Sequence, residues 1–177
     1  MSFTDSGTNT SYFLLSNIVE QVSGKKYIDF LRENFFTPLG MEHTGNISET
    51  VDSPEWSNGI SYDIYDDKLG LTKGAGDIVS NAEDITTWMN ALRSGRVISS
   101  KSLEAMITDY SPEADHYGYG MYLEINGGYG HAGAVGTYTA YDYINDDKDF
   151  TLFWTSNTMD AYSINTLLEE ILSVLMD

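Results

Sequence analysis

Apolar residues recur every three or four positions near the start of the chain, which is the period of an amphipathic helix. Over residues 10–23 this pattern occupies Phe13, Leu14, Leu15, Ile18, Val19 and Val22. Asn9 or Thr10 is placed to cap the start of the helix, and Gly24 is placed to end it. The sequence therefore predicts a first helix over residues 10–23.

Two further helices follow the same spacing. A helix over residues 27–36 is predicted to stop at Thr37-Pro38, because the residue before a proline avoids the helical region. The next helix is predicted to start at Ser80, where Ser80 and Glu83 have the spacing of a capping box. Gly95 is placed to end that helix.

The apolar period changes from helical to alternating in the second half of the chain. Residues 38–75 are predicted to be mostly loop, and residues 100–108 a short helix. Alternation then predicts four strands, near residues 118–125, 128–132, 136–144 and 149–156. Gly127-Gly128 and the acidic segment Asn145 to Lys148 are predicted hairpin turns. An amphipathic helix over residues 161–176 closes the chain.

This order of elements predicts an α+β fold, in which helices precede an antiparallel β-meander that a C-terminal helix covers. The 177 residues suit one domain with a sizeable core. Within it, we expect residues 1–110 to be mainly helical and residues 111–177 to form the sheet and the C-terminal helix.

The composition limits the partners of the chain. Nine Lys and Arg oppose 27 Asp and Glu, a net charge of −18, so we expect no binding to nucleic acid or anionic lipid. The absence of Cys excludes disulfides, a thiol nucleophile and cysteine-based zinc sites. No apolar run reaches the roughly 20 residues of a membrane span. The first residues contain no basic or apolar segment, so no signal peptide is predicted in them.

His131 is the histidine whose surroundings point to a ligand. His43 lies in a predicted loop and His116 follows acidic residues, so both are expected at the surface. His131 lies instead in the glycine-rich stretch 128–136, where glycines let the backbone come close to a ligand. The alternative is that these glycines serve only a tight bend.

Metal and cofactor binding are not predicted. The chain has no His-x-x-x-His or glutamate-bearing zinc pattern. Asn145, Asp147 and Asp149 alternate like the start of a calcium loop, but the glycine and terminal glutamate of such a loop are missing. We interpret this segment as a solvated hairpin turn.

A serine nucleophile is not evident in these residues. The Gly-x-Ser-x-Gly elbow does not occur, and one Ser-x-x-Lys is present, as Ser23-Gly24-Lys25-Lys26. That chemistry needs the serine at a helix start and the lysine one turn later, so that the amine can take the hydroxyl proton. Ser23 lies at a predicted helix end and Gly24 breaks the turn. We interpret the motif as a corner between helices.

Five segments, in order, resemble the later part of serine hydrolases of the β-lactamase and penicillin-binding protein group, which includes D-alanyl-D-alanine carboxypeptidases and esterases. They are Asn9-Thr10-Ser11-Tyr12-Phe13-Leu14-Leu15, Phe35-Phe36-Thr37-Pro38-Leu39-Gly40-Met41-Glu42-His43-Thr44, the stretch from Gly74 to Asp84, Tyr119-Gly120-Met121, and Gly130-His131-Ala132-Gly133. The first three look like the helix after the family's Tyr-Ser-Asn motif, its Pro-Leu-Gly-Met-x-x-Thr segment and its Gly-Gly-hydrophobic-x-Ser-Thr-x-x-Asp helix start. Tyr119-Gly120-Met121 follows in order, and the last segment looks like the strand that lines the cleft. The resemblance implies part of a β-lactamase/transpeptidase-like fold.

The resemblance also implies roles for four residues. His131, where relatives have Lys-Thr-Gly or His-x-Gly, would contact the polar or anionic end of a substrate. The backbone around Gly133 and Ala134 would supply one N–H of an oxyanion hole, which stabilises developing negative charge. Asn9 matches the asparagine of Tyr-Ser-Asn, whose amide would contact a substrate carbonyl.

The departures from the family pattern concern catalysis. The family's tyrosine falls on Gly7 and its serine on Thr8, and the nucleophilic Ser-x-x-Lys lies before this point of the pattern. The first expectation is therefore a C-terminal portion of a serine hydrolase for D-alanyl peptides, β-lactams or esters, inactive alone. The alternatives are a non-catalytic relative that binds peptidoglycan-type peptides, and a deletion product of a larger enzyme.

Partners and location follow from the same resemblance. Without the family's N-terminal part the sheet should expose an unpaired edge. We expect that edge to pair with a missing N-terminal segment or with a second copy of the chain. A small peptide or β-lactam-like ligand is the expected partner of the cleft. For the parent family the resemblance implies a place outside the cytoplasm, in the cell envelope or secreted.

Overall fold

An antiparallel sheet runs through the second half of the chain. The computed structural model describes residues 9–46, 73–111, 116–124, 126–135, 138–157 and 161–176, and within them four strands pair in sequential order. These strands are β3 (Tyr122–Leu123), β4 (Tyr129–Val135), β5 (Tyr138–Asn145) and β6 (Phe150–Ser156). Strands β4 and β5 pair from Tyr129 opposite Ile144 to Val135 opposite Tyr138. The predicted antiparallel meander is confirmed.

Helices precede and follow this sheet, so the predicted α+β class is confirmed. They are α1 (Asn9–Ser23), α2 (Tyr27–Leu31), a π-helical turn (Arg32–Phe36), α3 (Thr37–Leu39), α4 (Ala82–Arg93), α5 (Ser100–Met106) and α6 (Ala161–Met176). Two short strands, β1 (Gly45–Asn46) and β2 (Ile78–Val79), form a separate antiparallel pair. In the described part of the chain, no helix has both the length and the apolar character needed to cross a membrane.

The main core lies between α4, α5 and one face of the sheet. Its buried members are Met89, Leu92, Leu103, Met121, Tyr129 and Ile144. Burial of one large apolar side chain stabilises a fold by about 1.5–3 kcal/mol, so this cluster fixes the helices on the sheet. Side chains alternate along a strand, which puts His131 on the same face as Tyr129 and places Asp142 beside it. The core therefore decides which way the candidate site faces.

The helix after Tyr27 does not stop before Pro38, so that prediction was wrong. Thr37 has helical angles, φ −62° and ψ −47°, and its N–H bonds to the carbonyl of Arg32 in the wide turn. Pro38 then lies in the first turn of α3, where a residue needs no N–H partner. Helical structure ends instead at Gly40, whose φ of +72° suits glycine.

The cap of α4 also differs from the prediction. Asn81, not Ser80, is the N-cap, and its side-chain oxygen accepts a 2.8 Å hydrogen bond from the N–H of Asp84. The Ser80 hydroxyl lies 2.7 Å from that of Thr44. Buried Asp84 accepts from the Thr44 hydroxyl at 2.7 Å and from the His43 N–H at 2.9 Å. The predicted capping box was wrong because the Ser80 hydroxyl is hydrogen-bonded to the distant residue Thr44 instead.

The ends of α1 match the prediction only in part. Asn9 and Thr10 are both inside the helix, so neither caps it, and the residue before Asn9 lies outside the described part. Gly24 ends the helix with a φ of +69°, as predicted. The Lys25 N–H donates to the Ser23 hydroxyl at 3.2 Å across this corner. Ser23 therefore lies at the helix end, as the corner interpretation requires.

The strand predicted over residues 118–125 is mostly a turn. Among its described residues, 118–124, only Tyr122–Leu123 belong to a strand, with an isolated bridge from Tyr117 to Tyr122. The Gly118 N–H bonds to the Met121 carbonyl at 2.8 Å, and Gly120 has a φ of +81°. Alternation of tyrosine and glycine imitates a strand, but the glycines permit this tight turn. The next strand, β4, extends to Val135, three residues beyond the prediction.

We predict opposite results for two glycines of β4. A Cβ at Gly130 would lie 1.9 Å from the carbonyl oxygen of Asp142, so Gly130→Ala must force the two strands apart. We expect a loss of about 2–3 kcal/mol in the free energy of unfolding, measured by urea denaturation. A Cβ at Gly133 meets nothing within 4 Å, and Gly133→Ala is the matched control. It should keep or raise stability by up to about 1 kcal/mol, and equal losses in both variants would contradict the β4–β5 geometry.

Candidate substrate-binding site

A chain of three hydrogen-bonded side chains joins α1 to β4. The Tyr12 hydroxyl of α1 lies 2.8 Å from the Tyr117 hydroxyl, and that hydroxyl lies 3.1 Å from Nε2 of His131 on β4. Tyr117 is buried, whereas His131 is partly exposed. The link brings together residues that are 105 positions apart in sequence, at the junction of the helical part and the sheet.

Local structure holds these side chains in place. The backbone at Tyr117 is held in place because its N–H donates a hydrogen bond to the Ser111 hydroxyl at 2.8 Å. The rings of Tyr117 and Tyr122 pack edge to face with centroids 4.8 Å apart, and the Tyr122 and His131 rings lie 5.1 Å apart. Such contacts add about 0.5–1.5 kcal/mol per aromatic pair beyond the buried area. The histidine ring is therefore fixed by packing as well as by its hydrogen bond.

Burial sets the protonation of this cluster. It raises the pKa of Tyr117 well above the usual range for tyrosine, so the hydroxyl keeps its proton. Burial also lowers the pKa of His131 below 6.5. A hydrogen bond with the Ala132 backbone raises this pKa, but its effect is the smaller one. A neutral imidazole at pH 7 can accept a hydrogen bond from the Tyr117 hydroxyl or donate one to it. The same hydroxyl forms a second hydrogen bond with Tyr12. The cluster presents a polar but uncharged surface.

The sequence-predicted ligand residues lie around this cluster. Asn9 is exposed on α1 and precedes Tyr12 by three residues, so the two occupy neighbouring positions on one helix face. Gly133 and Ala134 are exposed on β4, two and three residues beyond His131. Gly7 and Thr8, which align with the family's tyrosine and serine, lie outside the described residues. The structure thus links His131 to Tyr12, which lies one helical turn after Asn9.

One edge of β4 is open beyond Gly130. Strand β3 pairs with β4 only at Gly130 and Tyr129, whereas β5 pairs along the whole length of β4. From His131 to Val135, no strand of the described ranges covers the edge opposite β5. Unpaired N–H and C=O groups at such an edge are able to bind an extended peptide.

Sequence reasoning missed Tyr12 and gave Tyr117 no specific role. Tyr12 has a recognisable signal, since it follows Asn9 by one helical turn within the segment that resembles the family. Tyr117 has none, because nothing in a tyrosine-rich segment tells which ring is buried against a histidine. Only the fold reveals that its hydroxyl connects α1 and β4.

Asp142 is a second unpredicted feature of this face. It lies opposite His131 in the β4–β5 register. Burial raises the pKa of Asp142 from 3.8 to about 6, although hydrogen bonds from the backbone N–H groups of His131 and Asp142 oppose this shift. A carboxyl group that titrates near neutral pH therefore lies beside the candidate site.

The other histidines and the acidic turn lie apart from the cluster. His43 is exposed, and Nδ1 of exposed His116 lies 2.8 Å from a carboxylate oxygen of Asp109. The hairpin carboxylates Asp146 and Asp149 bind the Arg93 guanidinium at 3.0 Å and 2.5 Å. Among the side chains that the structure describes, no group of three or more His, Cys, Asp or Glu is arranged to hold a metal ion.

Comparison with known proteins decides the family. The family model described as Beta-lactamase matches residues 8–171. The chain belongs to the β-lactamase family. This match includes the whole Tyr12–Tyr117–His131 cluster and both elements that carry it, so the family resemblance based on short motifs is confirmed.

Three relatives illustrate the range of this family. Penicillin-binding protein 4* of Bacillus subtilis is 28% identical over 176 residues, covering 85% of this chain and 39% of the relative. The solved D-amino acid amidase of Ochrobactrum anthropi SV3 has a TM-score of 0.79 and 27% identity over 95% of this chain and 57% of its own. An octameric penicillin-binding protein homologue from Pyrococcus abyssi has a TM-score of 0.74 and 26% identity, over 91% and 42%.

The coverage of these relatives bears on activity. The β-lactamase family chain described here spans 39% of the Bacillus protein and 57% and 42% of the two solved chains. It therefore corresponds to less than two thirds of each relative's length. The fold and the family follow from the comparison, and the activity of a whole relative is a separate question.

We predict that Asp142→Asn stabilises the protein at pH 7 but not at pH 4. The folded pKa of about 6 exceeds the ordinary 3.8, so the folded state binds this proton more tightly than the unfolded state does. The resulting stability is present below about pH 4 and is lost as the pH rises through 6. At about 1.4 kcal/mol per pKa unit, the variant should gain roughly 1–3 kcal/mol at pH 7.

Urea denaturation at pH 4, 5, 6 and 7 measures this effect as the difference between variant and wild type. Asp147→Asn, in the exposed hairpin turn, is the matched control for the loss of one negative charge from an acidic chain. A difference for Asp142→Asn that stays constant from pH 4 to pH 7 would contradict the raised pKa.

Proposed function

We propose that these residues form the substrate-binding wall of a serine hydrolase of the β-lactamase family, acting on D-alanyl peptides, β-lactams, D-amino acid amides or esters. The observation that carries the proposal is the Tyr12–Tyr117–His131 chain, which sets α1 beside β4 where the β4 edge is open. The names of the penicillin-binding and amidase relatives support this range of substrates. Relatives of the first kind also support a parent protein that acts outside the cytoplasm.

We propose that the substrate backbone binds along the open edge of β4. An extended peptide would add to β4 as a further strand, its main-chain groups pairing with those beyond His131. Gly133 and Ala134 are exposed there, and the space beside Gly133 is open. A backbone N–H near them would donate to the oxygen of the reacting carbonyl and stabilise its negative charge.

His131 and Asn9 are the proposed polar contacts on either side of this peptide. His131 is uncharged near pH 7 and would bind the polar or carboxylate end of the substrate by a hydrogen bond. Tyr117 already occupies Nε2 of that ring, so Tyr117 is a positioning residue that fixes the ring's orientation. The exposed Asn9 amide would contact a substrate carbonyl from α1.

Acylation needs groups that these positions do not provide. A serine oxygen must attack the carbonyl carbon while a base takes its proton and the leaving group receives one. The one Ser-x-x-Lys has its serine at the C-terminal end of α1 and its first lysine beyond a left-handed glycine. We propose that the nucleophile and base come from outside these 177 residues, so that the chain alone does not turn over substrate.

The proposed source of these groups is a missing segment that docks on the sheet. Strand β6 pairs only with β5 in the described residues, which leaves its second edge available for another strand. A second copy of the chain is the alternative occupant. The octameric Pyrococcus homologue supports the possibility of assembly within the family.

Incubation with a fluorescent penicillin tests the lack of a nucleophile. We expect no band that survives denaturing electrophoresis, because the Ser23 hydroxyl of the one Ser-x-x-Lys contacts the backbone N–H of Lys25 and not a lysine amine. A serine hydrolase of known penicillin reactivity serves as the positive control. Stoichiometric covalent labelling of any serine would overturn the proposal.

A ligand-binding protein without catalysis is the second candidate. The observation that favours it is Gly7, which cannot exchange a proton, at the position of the family's tyrosine. This candidate keeps the same wall and the same contacts, and it differs only in needing no partner segment for its function.

Both candidates predict that His131 contributes to binding of an acyl-D-Ala-D-Ala peptide. We expect His131→Ala to raise the Kd about tenfold, the effect of losing one ligand hydrogen bond in a desolvated site. Tyr117→Phe should raise the Kd less. The His131 ring stays in place, but it loses the hydrogen bond that fixes its orientation. His116→Ala removes an exposed histidine outside the cluster and is the matched control. Calorimetric titration measures all four proteins, and equal Kd values would contradict the assigned site.

A further inference from the structure

Two stacked tyrosines form an exposed aromatic platform. The rings of Tyr110 and Tyr119 lie 4.6 Å apart at an angle of 25°, and the residues are 52% and 63% exposed. No other aromatic side chain that the structure describes is as exposed. Stacked tyrosines of this kind present a planar apolar surface with polar hydroxyl tips, which suits a ligand that has one flat apolar face.

The backbone beneath both rings is fixed. The Tyr119 N–H donates to the Met106 carbonyl at the end of α5 at 2.8 Å, and the Tyr110 N–H donates to the Tyr117 carbonyl at 3.1 Å. A Cβ at Gly118 would lie 2.0 Å from the Met106 carbonyl oxygen, so only glycine permits this approach. A surface whose backbone is already ordered loses little conformational entropy when it binds a ligand.

The platform borders the proposed substrate site. The backbone N–H of Tyr110 donates to the carbonyl of Tyr117. The Tyr117 hydroxyl is the middle member of the Tyr12–Tyr117–His131 chain. On the other side, a Cβ at Gly120 would lie 3.5 Å from the Tyr12 hydroxyl. The backbone that carries the two tyrosines is therefore directly connected to the Tyr12–Tyr117–His131 chain.

The chemistry of the platform restricts its ligand. The ring faces offer an apolar plane, and a hydrogen bond between the two side chains raises the pKa of Tyr119, which keeps its hydroxyl protonated. The chain's net charge of −18 repels anions. A ring with an apolar C–H face and uncharged hydroxyls on its rim fits both the plane and the polar edge.

We propose that Tyr110 and Tyr119 form a subsite for an uncharged pyranose sugar ring. The sugar stacks on the exposed ring face and its hydroxyls exchange hydrogen bonds with the tyrosine hydroxyls. The inference rests on the proposed function only for the identity of the molecule that carries the sugar, which would be a glycan-linked D-alanyl substrate. Sugar binding itself needs neither a nucleophile nor a partner segment.

Titration of the full chain with the trimer of N-acetylglucosamine, followed by NMR of the tyrosine rings, tests this subsite. We expect saturable shifts of the Tyr110 and Tyr119 signals and a Kd that rises at least about tenfold in Tyr119→Ala and Tyr110→Ala. Tyr119→Phe keeps the plane and loses one hydroxyl, so its Kd should rise about threefold. Leu15→Ala, which shortens an exposed apolar side chain on α1, is the matched control and should bind as wild type does.

Two results would overturn the subsite: no saturable binding of the trimer to the wild-type chain, or an unchanged Kd in Tyr119→Ala. Both tyrosines are exposed, and Tyr119→Leu provides a variant that keeps an apolar side chain without a planar ring if the alanine variant unfolds. His131→Ala separates this proposal from the proposed function. It should weaken binding of an acyl-D-Ala-D-Ala peptide and leave trimer binding unchanged, whereas Tyr119→Ala should retain the peptide site.

Discussion

The pairing of β4 with β5 is the constraint on which the rest of the structure depends. The two strands come so close at Gly130 that the Asp142 carbonyl occupies the place of a side chain. Tyr129 and Ile144, one residue further, are buried against α4 and α5. Because side chains alternate along a strand, this register turns His131 and Asp142 to the same face and leaves the far edge of β4 free beyond Gly130. A slip of one residue would remove the site.

Helix α4 transmits this constraint to the rest of the chain because it is held at both ends. At its start, buried Asp84 binds the Thr44 hydroxyl and the His43 backbone, which ties the segment after α3 to the helix. At its end, Arg93 binds Asp146 and Asp149 in the turn between β5 and β6. The positive charge lies among carboxylates of an acidic chain, where it offsets their mutual repulsion. The helix thereby fixes the distance between the helical part and the sheet.

Several surfaces remain open in the described part of the chain. Four large aliphatic residues of α1 are more than half exposed, namely Leu14, Leu15, Ile18 and Val22. The outer edge of β6 has no strand beside it among the described residues. Both surfaces are apolar or rich in unpaired backbone groups, which favour contact with further protein. They agree with a chain that spans less than two thirds of its relatives' length.

The sequence by itself determined the elements whose causes are local. Helical spacing and the left-handed glycines Gly24 and Gly95 predicted the positions of α1 and α4. Alternation of apolar and polar residues predicted the ends of β5 and β6 to within two residues. The α+β class and the family followed from the order of these elements and motifs. His131 stood out through its glycine neighbours, although its proposed contact with a ligand stays a prediction.

Only the tertiary structure decided the features that depend on distant partners. The Ser80 hydroxyl contacts Thr44, 36 residues away, and so Asn81 caps α4. The turn at Gly118 exists because the Met106 carbonyl approaches that glycine. Above all, the Tyr12–Tyr117 hydrogen bond spans 105 positions, and no local pattern distinguishes Tyr117 from the other twelve tyrosines. Periodicity reports which face a residue occupies, whereas the partner that it meets there depends on how the whole chain folds.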